Sequence, residues 1–281
     1  MTRTTTSFAF AIALTVACAA SAAPQQAQTE PSPGPIVPAP RLSDGHPDFN
    51  GVFQASRRRG KEWDAETPGE ELGVAAPRPR GGGPPPRDPI PYQPWARAKA
   101  QEFLNRRSID DPAAHCLPVA SPRTTPTGLF PVQFVQTPNQ LVILYEYYWL
   151  FRVIPTDGRR HPDDASPSWM GDSVGHWDGD TLVVDVNNFK DGGWIGAGLF
   201  TSDQLHLVER YTRVDRDQMN YEVTIEDPKV FTKPWTMRST LMLRDGTRLR
   251  EYACMENNVD LDTYQQYLKK PSLFERKPPA P

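Results

Sequence analysis

Residues 173–189, SVGHWDGDTLVVDVNNF, limit the fold of this chain more than any other stretch. Two alternating apolar runs flank Asp178-Gly179, and a two-residue type I′ loop there needs positive φ at both central positions, which Asp tolerates and Gly adopts freely. In that register Trp177 faces Asp180 and His176 faces Thr181. Ser173, Gly175, Trp177, Leu182, Val184 and Val186 then share one face, with Val174, His176, Thr181, Val183, Asp185 and Asn187 on the other. One face is apolar and the other mixed, as in an antiparallel sheet wrapped around an interior.

The pattern continues on both sides. VQFVQT, QLVILYE, YWLFRVI, LHLVERYTRV, QMNYEVTIE, WTMRSTLMLR and TRLREYAC read as strands, separated by Pro138-Asn139, Asp157-Gly158, Asp215-Arg216-Asp217, Asp227-Pro228 and Asp245-Gly246. Connections this short make hairpins, and closing the sheet removes its edges. The expectation is a mainly β fold: an antiparallel up-and-down barrel or strongly curved sheet, lipocalin-like, with one or two short helices and long proline-rich irregular segments. A short first strand is expected around Val52 and Phe53. One helix is expected over 95–107, with Ala96, Ala100, Phe103 and Leu104 on one side, and another over 261–269 with Asp260 as its cap.

The front of the chain is different, because about half of the 31 prolines precede Trp95. Residues 1–22 combine Arg3, an apolar run from Phe8 to Ala17 too brief to span a bilayer, and small residues at Ala20-Ser21-Ala22, which together read as an export signal. Residues 23–42 follow as a disordered proline-rich tether, and 43–281 as one β-rich domain with an irregular insertion at 56–94 and a tail at 272–281. The expected compartment is periplasmic or extracellular. Lipidation of Cys18 is the alternative, against which stands Thr15 where Leu is expected. Removing the signal leaves Cys116 and Cys254, an even pair in an oxidising compartment, so a disulfide is expected over a catalytic thiol beside His115. A formal net charge of −3 offers no electrostatic case for nucleic acid. No transmembrane segment is expected, and the oligomeric state stays open.

DGHPDFNGVF, CLPVASPR, QTPNQLVILYE, RVIPTDGRRHP, the 173–189 stretch, LVERYTRVD, TIEDPKVFTKPW and EYACMEN together resemble a family of exported bacterial proteins with no assigned activity. The resemblance covers nearly the whole chain from Asp44. Many members carry Arg-Trp-Glu where this chain has His176-Trp177-Asp178, so a role tied to an arginine at 176 does not transfer. Similarity to lipocalin calyces is weaker and implies a fold, which does not fix a function.

Chemistry is sought where charge sits in apolar company. Glu146 and Arg152 lie six positions apart in an apolar run and share a face if the strand is unbroken. An ion pair with Glu209 or Arg210 is the plainer reading; acid–base work by Glu146 or Glu209, with Arg152 or Arg210 steadying an oxyanion, is the sharper one. His176 and Asp185 share a face of the hairpin and form a second candidate unit, with His206 a lesser one. The Asp-rich segments near His161 and His176 read as turns, with no zinc-type ligand frame, so no metal is expected. No phosphate loop, dinucleotide fingerprint or nucleophile elbow is present, so no cofactor is implied.

Aromatic residues are abundant, and Tyr145, Tyr147, Trp149, Trp177 and Tyr211 are the expected ligand-binding set. The leading expectation is a carrier that holds a small apolar or aromatic molecule in a barrel cavity. The alternative is a cofactor-independent lyase, isomerase or hydratase using Glu or His in that cavity.

Overall fold

The structure, a computed structural model, describes residues 37–55, 90–125 and 130–271. The export signal, Cys18, most of the tether, most of the proline-rich insertion and the tail lie outside these residues. The strands are β1 (Gly51–Ala55), β2 (Val132–Thr137), β3 (Gln140–Tyr145), β4 (Phe151–Pro155), β5 (Asp172–Asp178), β6 (Thr181–Asn187), β7 (Trp194–Gly196), β8 (Leu199–Phe200), β9 (His206–Arg213), β10 (Gln218–Glu226) and β11 (Trp235–Leu243). Nine of them form one sheet in the order β4-β3-β2-β1-β11-β10-β9-β6-β5, with β7 and β8 as a separate hairpin. Every ladder in the large sheet is antiparallel.

The sheet is a meander that curls until its two end strands approach each other. A Cβ added at Gly175 on β5 would lie 3.1 Å from the Ile154 side chain of β4, closer than ordinary packing, so glycine eases the approach of the two strands. β4 and β5 nevertheless share no ladder, leaving a seam in an otherwise hydrogen-bonded wall. Alternation decides what enters the barrel: Leu207, Glu209, Tyr211 and Arg213 of β9 are buried, while His206, Val208, Arg210 and Thr212 between them are half-buried.

The 173–189 hairpin forms with the expected faces, since Ser173 pairs Val186, Gly175 pairs Val184 and Trp177 pairs Leu182. Its turn corrects the expectation by one residue. Asp178 pairs Thr181, so Gly179 and Asp180 are the central pair, and Gly179 takes the positive φ (59°) at the first central position, the II′ preference. Asp180, the second central residue of the turn, takes a bidentate contact from Arg41, at 2.8 and 2.5 Å.

Three other expectations are corrected. YWLFRVI is not one strand: residues Tyr147–Trp149 form a 3₁₀ turn with positive φ at Tyr148 and Trp149, and β4 begins only at Phe151. TRLREYAC alternates like a strand but joins no ladder, because both edges of β11 are already taken by β10 and β1. The last helix, Val259–Lys269, is capped by Asn258, whose side chain accepts from Leu261 N at 3.0 Å, not by Asp260. The helix of the front half, α1 (Pro94–Asn105), buries Ala96, Ala100 and Leu104 as expected.

Both barrel ends are covered. At one, residues 41–50 bring Phe49 and His46 against Trp177, with ring centroids 5.3 and 4.3 Å away. At the other, the buried segment from Val119 to Thr125 inserts Ser121 among the inward side chains. Beside it α1 packs on the β7–β8 hairpin, where Gly198 (φ 73°) is needed because a Cβ would lie 2.9 Å from the Ala100 carbonyl oxygen. Cys116 and Cys254 form a disulfide across 138 positions, tying 247–258 to the region ahead of β2.

Candidate functional site

The inward alternation of β4 and β9 brings two charges together inside the barrel. Arg152 Nη1 lies 3.0 Å from Glu209 Oε1 and 2.8 Å from Oε2, and Arg152 Nη2 donates to Ser173 Oγ at 2.8 Å. The Tyr221 hydroxyl donates to Glu209 Oε1 at 2.9 Å, and Ser121 Oγ approaches the same oxygen at 3.3 Å. All of these groups are buried. Burial works against the Arg152 charge, but Glu209 and the neighbouring tyrosines hold the guanidinium well above its ordinary range. Burial likewise pushes the Tyr145, Tyr211 and Tyr221 phenols up, so they remain donors.

The surrounding hydroxyls extend the cluster: Tyr145 is hydrogen-bonded to Arg152 and Thr125, and Thr125 also reaches the Tyr211 hydroxyl, so the ion pair sits in a connected buried network. The centre of the barrel is otherwise filled by its own rings: Phe53, Phe134, Tyr211 and Tyr221 follow one another at centroid spacings of 5.6, 5.7 and 4.9 Å.

Of the residues singled out from sequence, Arg152, Glu209, Tyr145 and Tyr211 converge here. The others do not. Glu146 leaves the barrel at the 3₁₀ turn and accepts from Arg250 N at 2.8 Å, because the broken strand cancels the shared face with Arg152. Arg210 points outward to Asp178 at 2.8 Å. His176 is exposed, and Val174, not His176, stands opposite Asp185. Asp185 instead takes His161 Nε2 at 3.0 Å and His206 Nε2 at 2.8 Å, while His161 Nδ1 lies 2.5 Å from Asp172. Tyr147 sits outside with Tyr148 and Tyr252, Trp149 is exposed, and Trp177 is covered by residues 41–50.

Two surface features were not singled out. The first is a cleft of about 630 Å³ between α1, the β7–β8 hairpin and Val230. Trp95, Phe103, Trp194 and Phe200 form its apolar wall, with ring centroids 5.0 to 5.7 Å apart, and Lys99, Asp110, Asp191 and Lys229 stand at its rim. Its wall is braced by buried Asp227, which accepts from Ser202 N at 2.7 Å and Ser202 Oγ at 2.8 Å. The second is a pocket of about 420 Å³ beside the disulfide, where Arg123 and Asp111 make two 2.8 Å contacts near Tyr147, Tyr148 and Tyr252. Only the regular spacing of Trp95, Lys99 and Phe103 along one helix pointed to the cleft, since Trp194 and Phe200 join it through tertiary packing. No protein-family model matches the chain, and comparison with curated proteins returns no match.

Proposed function

We propose that this is an exported binding protein for a small aromatic or apolar molecule, held in the cleft between α1 and the β7–β8 hairpin and not at the barrel's centre. One observation carries the reading: four aromatic side chains line a cleft of about 630 Å³, a size and lining typical of small-molecule sites. Trp95 is 56 % exposed at its edge, an aromatic surface held ready for a flat partner. Export is supported by the leader-like residues 1–22 and by the Cys116–Cys254 disulfide. Titration with indole, phenol and benzoate, followed by tryptophan fluorescence, tests the reading. Trp95→Ala and Phe103→Ala are expected to weaken binding about tenfold or more. Binding indifferent to both substitutions would remove the cleft from consideration.

A second reading is favoured by the interior cluster: an acid–base enzyme of lyase, isomerase or hydratase type. Glu209 lies in the low-dielectric interior beside an arginine and three phenols, groups that move protons and steady developing negative charge. Incubation with a metabolite mixture, followed by mass spectrometry, would reveal turnover, and Glu209→Gln should abolish it.

A further inference from the structure

Alternation sets what the outside of the wall presents as firmly as it sets the interior. On β2, β3 and β4 the outward side chains form an apolar block: Val135 pairs Val142, Val142 pairs Val153, and in the next row Leu144 pairs Phe151. Phe151 is 66 % exposed, Val153 46 % and Val135 37 %, and Trp149 stands 61 % exposed in the turn that leads into β4. The remaining outward positions are Gln133, Thr137, Gln140 and Pro155, so this face carries no charge. Further round the sheet the outside is made differently. There Arg210, Asn220, Glu222 and Arg238 project from β9, β10 and β11, and Arg238 donates to Glu222 at 2.5 Å.

Area and charge together select what covers the face. At their exposures Phe151, Val153, Val135 and Trp149 present roughly 400 Å² of apolar surface, the size at which an uncovered patch marks an interface. Two such faces in contact cover roughly 800 Å², and the flanking Gln133, Thr137 and Gln140 bring the total to about the 1,000 Å² that a specific association needs. An uncharged face offers no attraction to an acidic or basic partner, and a polar partner would surrender its bonds to water against these side chains. Its complement is another apolar, uncharged, three-stranded face. A second copy of the chain supplies one, in a two-fold contact that uses the same patch on both sides. Twisted sheets pack in this way, face to face about 10 Å apart with their side chains interdigitating.

From this register and these exposures we infer that the outer face of β2, β3 and β4 is the dimerisation surface of the protein, packed against the same face of a second copy. It shares no residue with the aromatic cleft and does not rest on the reading of that cleft.

Analytical ultracentrifugation of the chain freed of residues 1–22, with tether and tail intact, tests the inference. A dimer is expected that dissociates on dilution through roughly the micromolar range, as a contact of this size allows. Phe151→Arg should raise the dissociation constant about tenfold or more, and Val135→Lys severalfold. Both side chains are exposed, so an unchanged circular dichroism spectrum separates lost association from lost fold. Asn220→Arg, on the charged part of the wall, should leave the dimer intact. A monomer at every concentration, or a monomer that instead sediments with phosphatidylcholine vesicles, would overturn the inference. So would a dimer indifferent to Phe151→Arg, or one that ignores Val135→Lys, which would place the contact on the edge of β4 and not on the face.

Discussion

Arg152 and Glu209 meet at 2.8 Å, and through this contact one side chain of β4 is anchored to β9 across the boundary where the barrel wall has no ladder. The pair is 2 % and 0 % exposed, so removing one partner strands the other in the interior. Glu209→Ala is expected to cost about 3–5 kcal/mol. The double change Arg152→Met with Glu209→Leu should recover most of that loss, because two apolar groups leave no charge unpaired. Urea denaturation of the three proteins checks both statements.

Tyr221 and Tyr211 separate a hydroxyl with a charged partner from one with a neutral partner. Tyr221 donates to the Glu209 carboxylate at 2.9 Å, whereas the Tyr211 hydroxyl has the Thr125 hydroxyl as its hydrogen-bond partner. Tyr221→Phe should cost about 1.5–3 kcal/mol and Tyr211→Phe about 0.5–1.5 kcal/mol. Urea denaturation of the two variants checks the order.

Alkaline pH should unfold the protein through these same rings. Burial raises the phenols of Tyr145, Tyr211 and Tyr221 above the ordinary value of 10.0. A pKa raised on folding means the native state holds its protons longer than the unfolded chain does. Its stabilising contribution is therefore complete below pH 10 and is lost as pH climbs beyond it. Tyrosinate absorbance should accordingly rise in two stages, with the buried rings appearing only together with loss of the native circular dichroism.

Reduction of the disulfide should loosen one region before the rest. The bond closes a loop of 138 positions, for which chain entropy sets an upper contribution of about 5 kcal/mol. No strand of the large sheet lies within 247–271. Cys116→Ser with Cys254→Ser should lower the melting temperature and direct limited proteolysis first to that segment, with β-sheet circular dichroism retained.

Gly198 ties stability to the aromatic cleft. Its φ of 73° and the 2.9 Å approach to the Ala100 oxygen leave no room for a methyl group. Gly198→Ala should cost about 1–3 kcal/mol and push the β7–β8 hairpin away from α1. Weaker binding of indole alongside a lower urea midpoint would confirm that the hairpin shapes the cleft.

Much of the barrel was legible because period-two alternation is a local property: the two faces of the 173–189 hairpin emerge as read, even though its turn moved by one residue. Arg152 and Glu209 were also legible, since charge embedded in apolar strands needs a partner. The break after Tyr145 was not, because Tyr148 and Trp149 adopt positive φ without the glycine or asparagine that usually announces it. Nor was His161 as a partner of Asp185, since the path of the 156–171 connection back over β5 and β6 leaves no mark in residue spacing. The aromatic cleft escaped for the same reason: it joins α1 to a hairpin about a hundred positions away.

The strand count itself sets a limit on the molecule's rigidity. With nine members alternating in direction, the first and last must point the same way, so no further antiparallel bonds can ever zip the wall into a continuous ring. Breathing is thereby confined to one meridian, and amide hydrogens along the facing sides of β4 and β5 should exchange with deuterium sooner than those of the strands diametrically opposite.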